Sequence, residues 1–184
     1  MLVPSLLIFQ IVAMAQKKPA INVADQLKQK AVSDIQLQYD VYKNMELSIW
    51  GFAELGYKEY KSSSLLQKTL TDNGFAVQAG AAEIPTAFVA TYGSGKPVIA
   101  ILAEFDALPG LSQDSVAEKI SLGKNAGHGC GHHLFGVASV AAGIEIKQLI
   151  EQKKLTGTIK VFGTPAEEGG SGKVYMVRAG LFND

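Results

Sequence analysis

Histidine and cysteine are nearly missing from this 184-residue chain, which has three of the first and one of the second. A single cysteine excludes an internal disulfide, so cysteine usage neither supports nor opposes export. Net charge is missing too. Basic and acidic side chains number 17 each, and neither a basic stripe nor an acidic tail breaks the balance. Nucleic-acid binding finds no support in such a chain. Internal repeats, low-complexity tracts and interdomain linkers are also missing. With hydrophobic residues at 47%, the length fits a single core.

The first fifteen residues, MLVPSLLIFQIVAMA, differ from the rest. An apolar run from Leu2 to Val12 ends in Ala13-Met14-Ala15, the small-residue pattern of a secretory signal before its cleavage point. Pro4, Gln10 and the missing basic residues at the start argue for the other reading, a buried N-terminal element. The run is too short to anchor the chain stably in a membrane. Residues 1–15 are therefore expected to be a signal peptide. A periplasmic or secreted protein follows from that reading, and a cytoplasmic one from its alternative.

The scarce residues are concentrated. All three histidines and the cysteine fall in GHGCGHH at 127–133, and TPAEEGG follows at 164–170. Thiolate, imidazole and carboxylate are the ligand types of zinc and its neighbours. A carboxylate beside a metal is also a common base for activating water. A metal site and hydrolysis are the reading.

Periodicity sets the surroundings. Leu27, Val32, Ile35, Tyr39, Tyr42, Met45 and Ile49 recur at threes and fours, which predicts one amphipathic helix from Val23 to about Trp50. A second helix is predicted over 60–72, stopped by Asn73-Gly74. Strands are expected at Phe75–Val77, Thr86–Tyr92 and Val98–Ala103, with Gly93–Pro97 as a hairpin connection between the last two. Residues 111–126 read as a loop with a short helical turn. A buried helix over 134–150, a strand at Gly157–Gly163 and a helix at Lys173–Ala179 complete an alternation typical of layered α/β domains.

Three segments carry chemistry. In ILAEFDALPG at 101–110, Glu104 and Asp106 alternate at a strand end and should face the same side; a salt bridge plus a solvated acid is the plain alternative. In the Cys/His loop, the glycines let the backbone close around an ion. The following helix should also lower the Cys130 thiol pKa toward the thiolate. Structural histidines, or a Cys130 nucleophile with a histidine base, remain open readings of that loop. Glu167 and Glu168 are adjacent on a segment read as extended, so they should point apart. That suits one carboxylate on metal and one on protons; a solvated acidic turn is the alternative.

Together the strings AEFDALPG, GHGCGHHLFGVASVAAG and GTPAEEGGSGKVYMVRAGLF resemble the aminoacylase and carboxypeptidase-like zinc metallopeptidases. That family includes hippurate hydrolases and auxin-conjugate amidohydrolases, and the strings look closest to its p-aminobenzoyl-glutamate hydrolase branch. The resemblance runs from about Ala24 to the end. It implies a layered α/β/α catalytic domain with two divalent ions, zinc or manganese, and a smaller inserted domain for dimerisation. It places Cys130, His132 and Glu168 at metal-ligand positions, Glu167 at the general acid/base position, and Asp106 behind the site as an orienting acid. Glu104 stands where many relatives have a histidine ligand, and His133 where many have aspartate. With His128, these two are further candidates whose roles stay open.

The implied substrate is an N-acyl or N-aroyl amino acid, with p-aminobenzoyl-glutamate among the candidates. Glu167 would take a proton from water and return it to the leaving amine. The implied partners are a second copy or a partner subunit. The family also needs two later histidine ligands, and the chain has none after His133. It is therefore expected to be the N-terminal part of a longer enzyme, with little or no amidase activity alone. A non-catalytic exported metal-binding or interaction module is the competing reading.

Overall fold

The N-terminal amphipathic stretch forms two helices rather than one. In this computed structural model, which describes residues 22–183, helix α1 spans Val23–Leu37 and helix α2 spans Tyr39–Phe52. The signal peptide expected at 1–15 lies outside the described residues. Gln38 (φ −98°, ψ 13°) breaks the ladder, its N–H reaching back to the carbonyls of Ile35 and Gln36. The break separates unlike helices: α1 buries none of its residues, whereas α2 buries Met45 and Ile49. A one-residue break leaves the threes-and-fours pattern intact, which is why periodicity did not reveal it.

Helix α3 (Tyr60–Asp72) runs as predicted and buries Leu66 and Leu70. Strands β1 (Ala76–Ala79), β2 (Phe88–Ser94) and β3 (Val98–Ala103) follow, then the short β4 (Leu108–Pro109) and β5 (Ala126–Gly127), which pair with each other. Helix α4 (His132–Glu151) leads to β6 (Gly157–Gly163), the single turn α5 (Glu167–Gly170) and α6 (Gly172–Arg178). The loop between β4 and β5 contains no helical turn, contrary to expectation.

The main sheet has the order β1-β2-β6-β3. Strand β6 is antiparallel to β2 and parallel to β3, so it enters between the two strands expected to form a hairpin. Gly93–Pro97 is thus a wide connection across β6. Gly157 makes the entry feasible: its φ is +117°, and a Cβ there would lie 2.4 Å from the Pro97 carbonyl oxygen. Glycine alone fits such a backbone at such a distance.

Apolar residues on the two faces of the sheet build two clusters. Ile159 and Val161 of β6 join Met45, Ile49, Leu66, Phe105 and Val140 beneath α2, α3 and α4. Phe162 points the other way, to Val89, Ile84 and Met176 of α6. This is the expected α/β/α layering.

Candidate metal centre

The parallel pairing of β3 with β6 creates the site. Ala103 and Gly163 lie opposite each other at the strand ends, so segments 104–106 and 164–168 leave the sheet side by side. Thr164 fastens them, its N–H donating to the Ala103 carbonyl at 2.8 Å. Helix α4 is held to β3 by Ser139, whose hydroxyl donates to the Leu102 carbonyl at 2.7 Å. Its first residue, His132, thereby enters between the two acidic segments.

His132 is the hub. It is 4% exposed. Its Nδ1 lies 2.9 Å from Asp106 Oδ1 and its Nε2 3.0 Å from Glu104 Oε2. Both acids of the 101–110 segment thus face the same side, as the alternation predicted, and meet one imidazole. Glu167 and Glu168 carboxylate oxygens each lie 3.7 Å from a ring nitrogen. The other oxygen of Asp106 accepts the Glu168 main-chain N–H at 2.9 Å. The donor atoms of Cys130, His132 and Glu168 all lie within 4.8 Å of one another, and so do those of Glu104, His132 and Glu167.

The glutamate pair is not on an extended segment. Ala166 adopts the left-handed conformation (φ 56°, ψ 44°), and both acids open the turn α5. They still diverge: Glu168 reaches the Cys130 side and is 18% exposed, whereas Glu167 faces Glu104 and is 43% exposed. Glu59, for which the sequence predicts no role, holds this turn. Fully buried, it accepts from the Ala166 N–H at 2.8 Å and from the Thr86 hydroxyl at 2.9 Å. Nothing local in the sequence marks it, because its partners come from distant segments. Lys173 is a second residue that motif reasoning misses; it pairs with Glu104. Its one signal is a lysine five positions beyond the glutamate pair.

Electrostatics follow from the crowding of acids. The hydrogen bond to Asp106 raises the His132 pKa against the effect of burial, helped by the charges of Asp106, Glu104 and Glu168. Burial would raise Asp106, but hydrogen bonds from His132 and the Glu168 N–H hold it below its ordinary value. The Cys130 thiol is pushed up, first by its hydrogen bond with Glu168, then by burial and the neighbouring carboxylates. This corrects the expected lowering: α4 begins only at His132, beyond Cys130, and the Glu168, Glu167 and Glu104 carboxylates all push the thiol up. One oxygen of Glu168, Oε1, is buried without a hydrogen-bond partner.

A raised thiol, an orphaned carboxylate oxygen and a doubly bonded imidazole are the signs of a cluster short of positive charge. Sulfur, nitrogen and carboxylate donors within one small volume fit a zinc-like divalent ion. His128 and His133 lie elsewhere. Trp50 packs edge-on to His133 at 4.7 Å between ring centroids, and the two histidine rings are 5.1 Å apart. His128 Nε2 lies 3.1 Å from the Ile49 carbonyl. Burial lowers both pKa values, that of His133 to about 4. A cleft of about 390 Å³ adjoins the cluster, lined by Asp106, Glu168, Leu55, Tyr57 and Pro109 among others.

Residues 100–184 match peptidase family M20/M25/M40. The chain is 45% identical over 146 residues to a p-aminobenzoyl-glutamate hydrolase subunit of Escherichia coli, covering 78% of this chain and 30% of that protein. Thermostable carboxypeptidase 2 of Saccharolobus solfataricus is 36% identical over 154 residues, covering 81% and 36%. A dinuclear metal-binding M20-family peptidase of Bacillus subtilis superposes with a TM-score of 0.70 at 25% identity, covering 80% of this chain and 41% of that one. The chain spans about a third of the length of these curated relatives.

Proposed function

This chain belongs, through residues 100–184, to peptidase family M20/M25/M40, and from that premise we propose that it carries part of a metal-dependent amidohydrolase site. The observation that carries this reading is the convergence of Cys130, His132 and Glu168 donor atoms within 4.8 Å, with Glu167 beside them. Those three residues would hold the ion, with zinc or manganese as the candidates. When bound, a divalent ion polarises an amide carbonyl and makes water a stronger acid.

The chain's own residues supply the rest. Asp106 accepts from His132 Nδ1 and so fixes the ring's orientation. Its Nε2 faces Glu104 Oε2 at 3.0 Å. Glu167 is the most exposed carboxylate around His132. It takes a proton from the attacking water and hands it to the leaving amine. The adjoining cleft is of a size that suits a small acyl or aroyl group.

The substrate class is N-acyl or N-aroyl amino acids, and the similarity to a p-aminobenzoyl-glutamate hydrolase subunit favours p-aminobenzoyl-glutamate. That relative's being a subunit favours assembly with a partner chain. The test uses protein purified from its native source, so that any partner is included, and measures amine release from p-aminobenzoyl-glutamate. Release that stops with chelator, and falls by roughly 10²–10⁴ in Glu167→Gln with metal retained, supports the reading. Bound metal without amine release from any N-acyl amino acid supplied would leave a binding module. Chelator-insensitive release abolished by thiol alkylation would assign Cys130 as nucleophile.

A further inference from the structure

A second cleft shares a wall with the one beside the metal cluster. It has a volume of about 340 Å³ and is lined by Tyr57, Ala82, Glu83, Ile84, Pro85 and Tyr175. One side is thus the tight turn Ala81–Glu83 with the residues after it, and another is helix α6. Tyr57 lines both clefts. The volume is that of a small-molecule site.

Its walls are set before anything binds. Ile84 and Met176 are buried in one core cluster, which ties the turn to α6, and Tyr57 and Ala82 pack against that cluster. The Ala87 carbonyl accepts from the Gly80 and Ala81 N–H groups at 2.8 and 3.2 Å, closing the turn. The Tyr57 hydroxyl donates to the Gly170 carbonyl. Three non-glycine residues of the lining are left-handed: Tyr57 (φ 64°), Ala82 (φ 55°) and Glu83 (φ 61°). Such backbone is costly for a residue with a side chain and persists only where the surroundings impose it. Three together on one cleft mark a wall that is built and held.

The lining chemistry selects charge of one sign. The rings of Tyr57 and Tyr175 meet at 80° with centroids 6.5 Å apart, so they wall the cleft from two directions. Glu83 adds an exposed carboxylate that, among the described residues, no hydrogen bond or ion pair engages. No basic residue lines the cleft. Aromatic faces and a free carboxylate both attract a cation, and an anion would meet the Glu83 charge. We infer that this cleft is a recognition site for a small organic cation, an ammonium or guanidinium seated against the two tyrosine rings and paired with Glu83. Nothing in it requires the metal centre.

Ring-carbon chemical shifts of Tyr57 and Tyr175 in the full chain read occupancy directly. The probe is tetramethylammonium chloride, measured against sodium chloride at equal ionic strength. Saturable shifts of both rings are expected, with none from tert-butanol, its neutral near-isostere. Glu83→Gln should weaken binding roughly fivefold by removing one solvent-screened charge. Tyr175→Leu, read on Tyr57, should weaken it about two- to fivefold. Both side chains are exposed, so neither change threatens the fold. No saturable shift below about 100 mM, equal shifts from tert-butanol, or wild-type affinity in Glu83→Gln would each overturn the inference. N-benzoyl-arginine names the source of the cation. Binding about tenfold tighter than methylguanidine makes it the cationic end of a substrate of the class proposed above, and equal binding makes it a free amine; both support a cation site.

Discussion

Asp106 ties His132 to Glu168, with one carboxylate oxygen 2.9 Å from the imidazole Nδ1 and the other accepting the Glu168 main-chain N–H at 2.9 Å. One buried side chain thus fixes two candidate ligands from different elements. Asn at this position keeps the volume but presents an NH₂ group to one of two donors. Loss of such outer-sphere support costs roughly 10–100-fold in metal affinity. Asp106→Asn is expected to weaken zinc binding by that order, read by competition with a chromogenic chelator. Unchanged affinity would remove Asp106 from the site.

Glu59 makes the strongest stability prediction. Glu59→Ala strands the Ala166 N–H and the Thr86 hydroxyl, both buried. Leaving buried donors unpaired costs about 1–3 kcal/mol each, so a loss of about 2–6 kcal/mol is expected in urea unfolding. Glu59→Gln, which keeps one acceptor oxygen, should lose less. The turn at Ala166 should loosen with it, so zinc affinity should fall in parallel.

His133 predicts an acid dependence. Its pKa in the fold is about 4, against an ordinary 6.5. The folded value is the lower one, so on acidification the unfolded chain takes up the proton first. The stability contribution is whole above pH 6.5 and is lost as pH falls toward 4. The loss should be on the order of 1–3 kcal/mol. His133→Gln should flatten this slope between pH about 6.5 and about 4, measured as urea midpoints. An identical slope in the variant would place the titration elsewhere, with His128 the next candidate.

A pair of glycine substitutions separates packing from propensity. At Gly136 on α4 an added Cβ would lie 2.5 Å from the Glu104 carbonyl oxygen, whereas at Gly51 on α2 it meets nothing within 4 Å. Gly136→Ala must push the helix off the segment that carries Glu104, a cost of about 1–3 kcal/mol. Gly51→Ala should be neutral or stabilising by up to about 1 kcal/mol. Thermal midpoints check both; equal effects would deny the close approach.

What the sequence disclosed depended on how far apart the partners lie. Helix α3, strand β3 and strand β6 were legible because their signals are local: apolar spacing, Asn73-Gly74, and unbroken apolar runs. Cys130 and His132 stood out because histidine and cysteine are scarce, whereas Glu168 joined them only through the family resemblance of the ordered motifs. The insertion of β6 between β2 and β3 was not legible, since adjacent strands joined by a glycine turn look like a hairpin whatever arrives later. The direction of the Cys130 shift was misjudged for a related reason. The helix that would lower it is its neighbour in sequence, whereas the carboxylates that raise it are contributed by segments on either side.

The opposition of Ala103 and Gly163 across two parallel strands has a consequence in time. About sixty positions of chain, including the whole of α4, must be closed into a loop before those strand ends meet. Contacts of such long range form only after the entropy of closure has been met. Until then, Glu104 and Asp106 on one side and Glu167 and Glu168 on the other are strangers. On the proposed ligand set, an ion would meet Glu168 beside His132 only after those strands have docked, so its full stabilisation would fall on the native state and lengthen its lifetime.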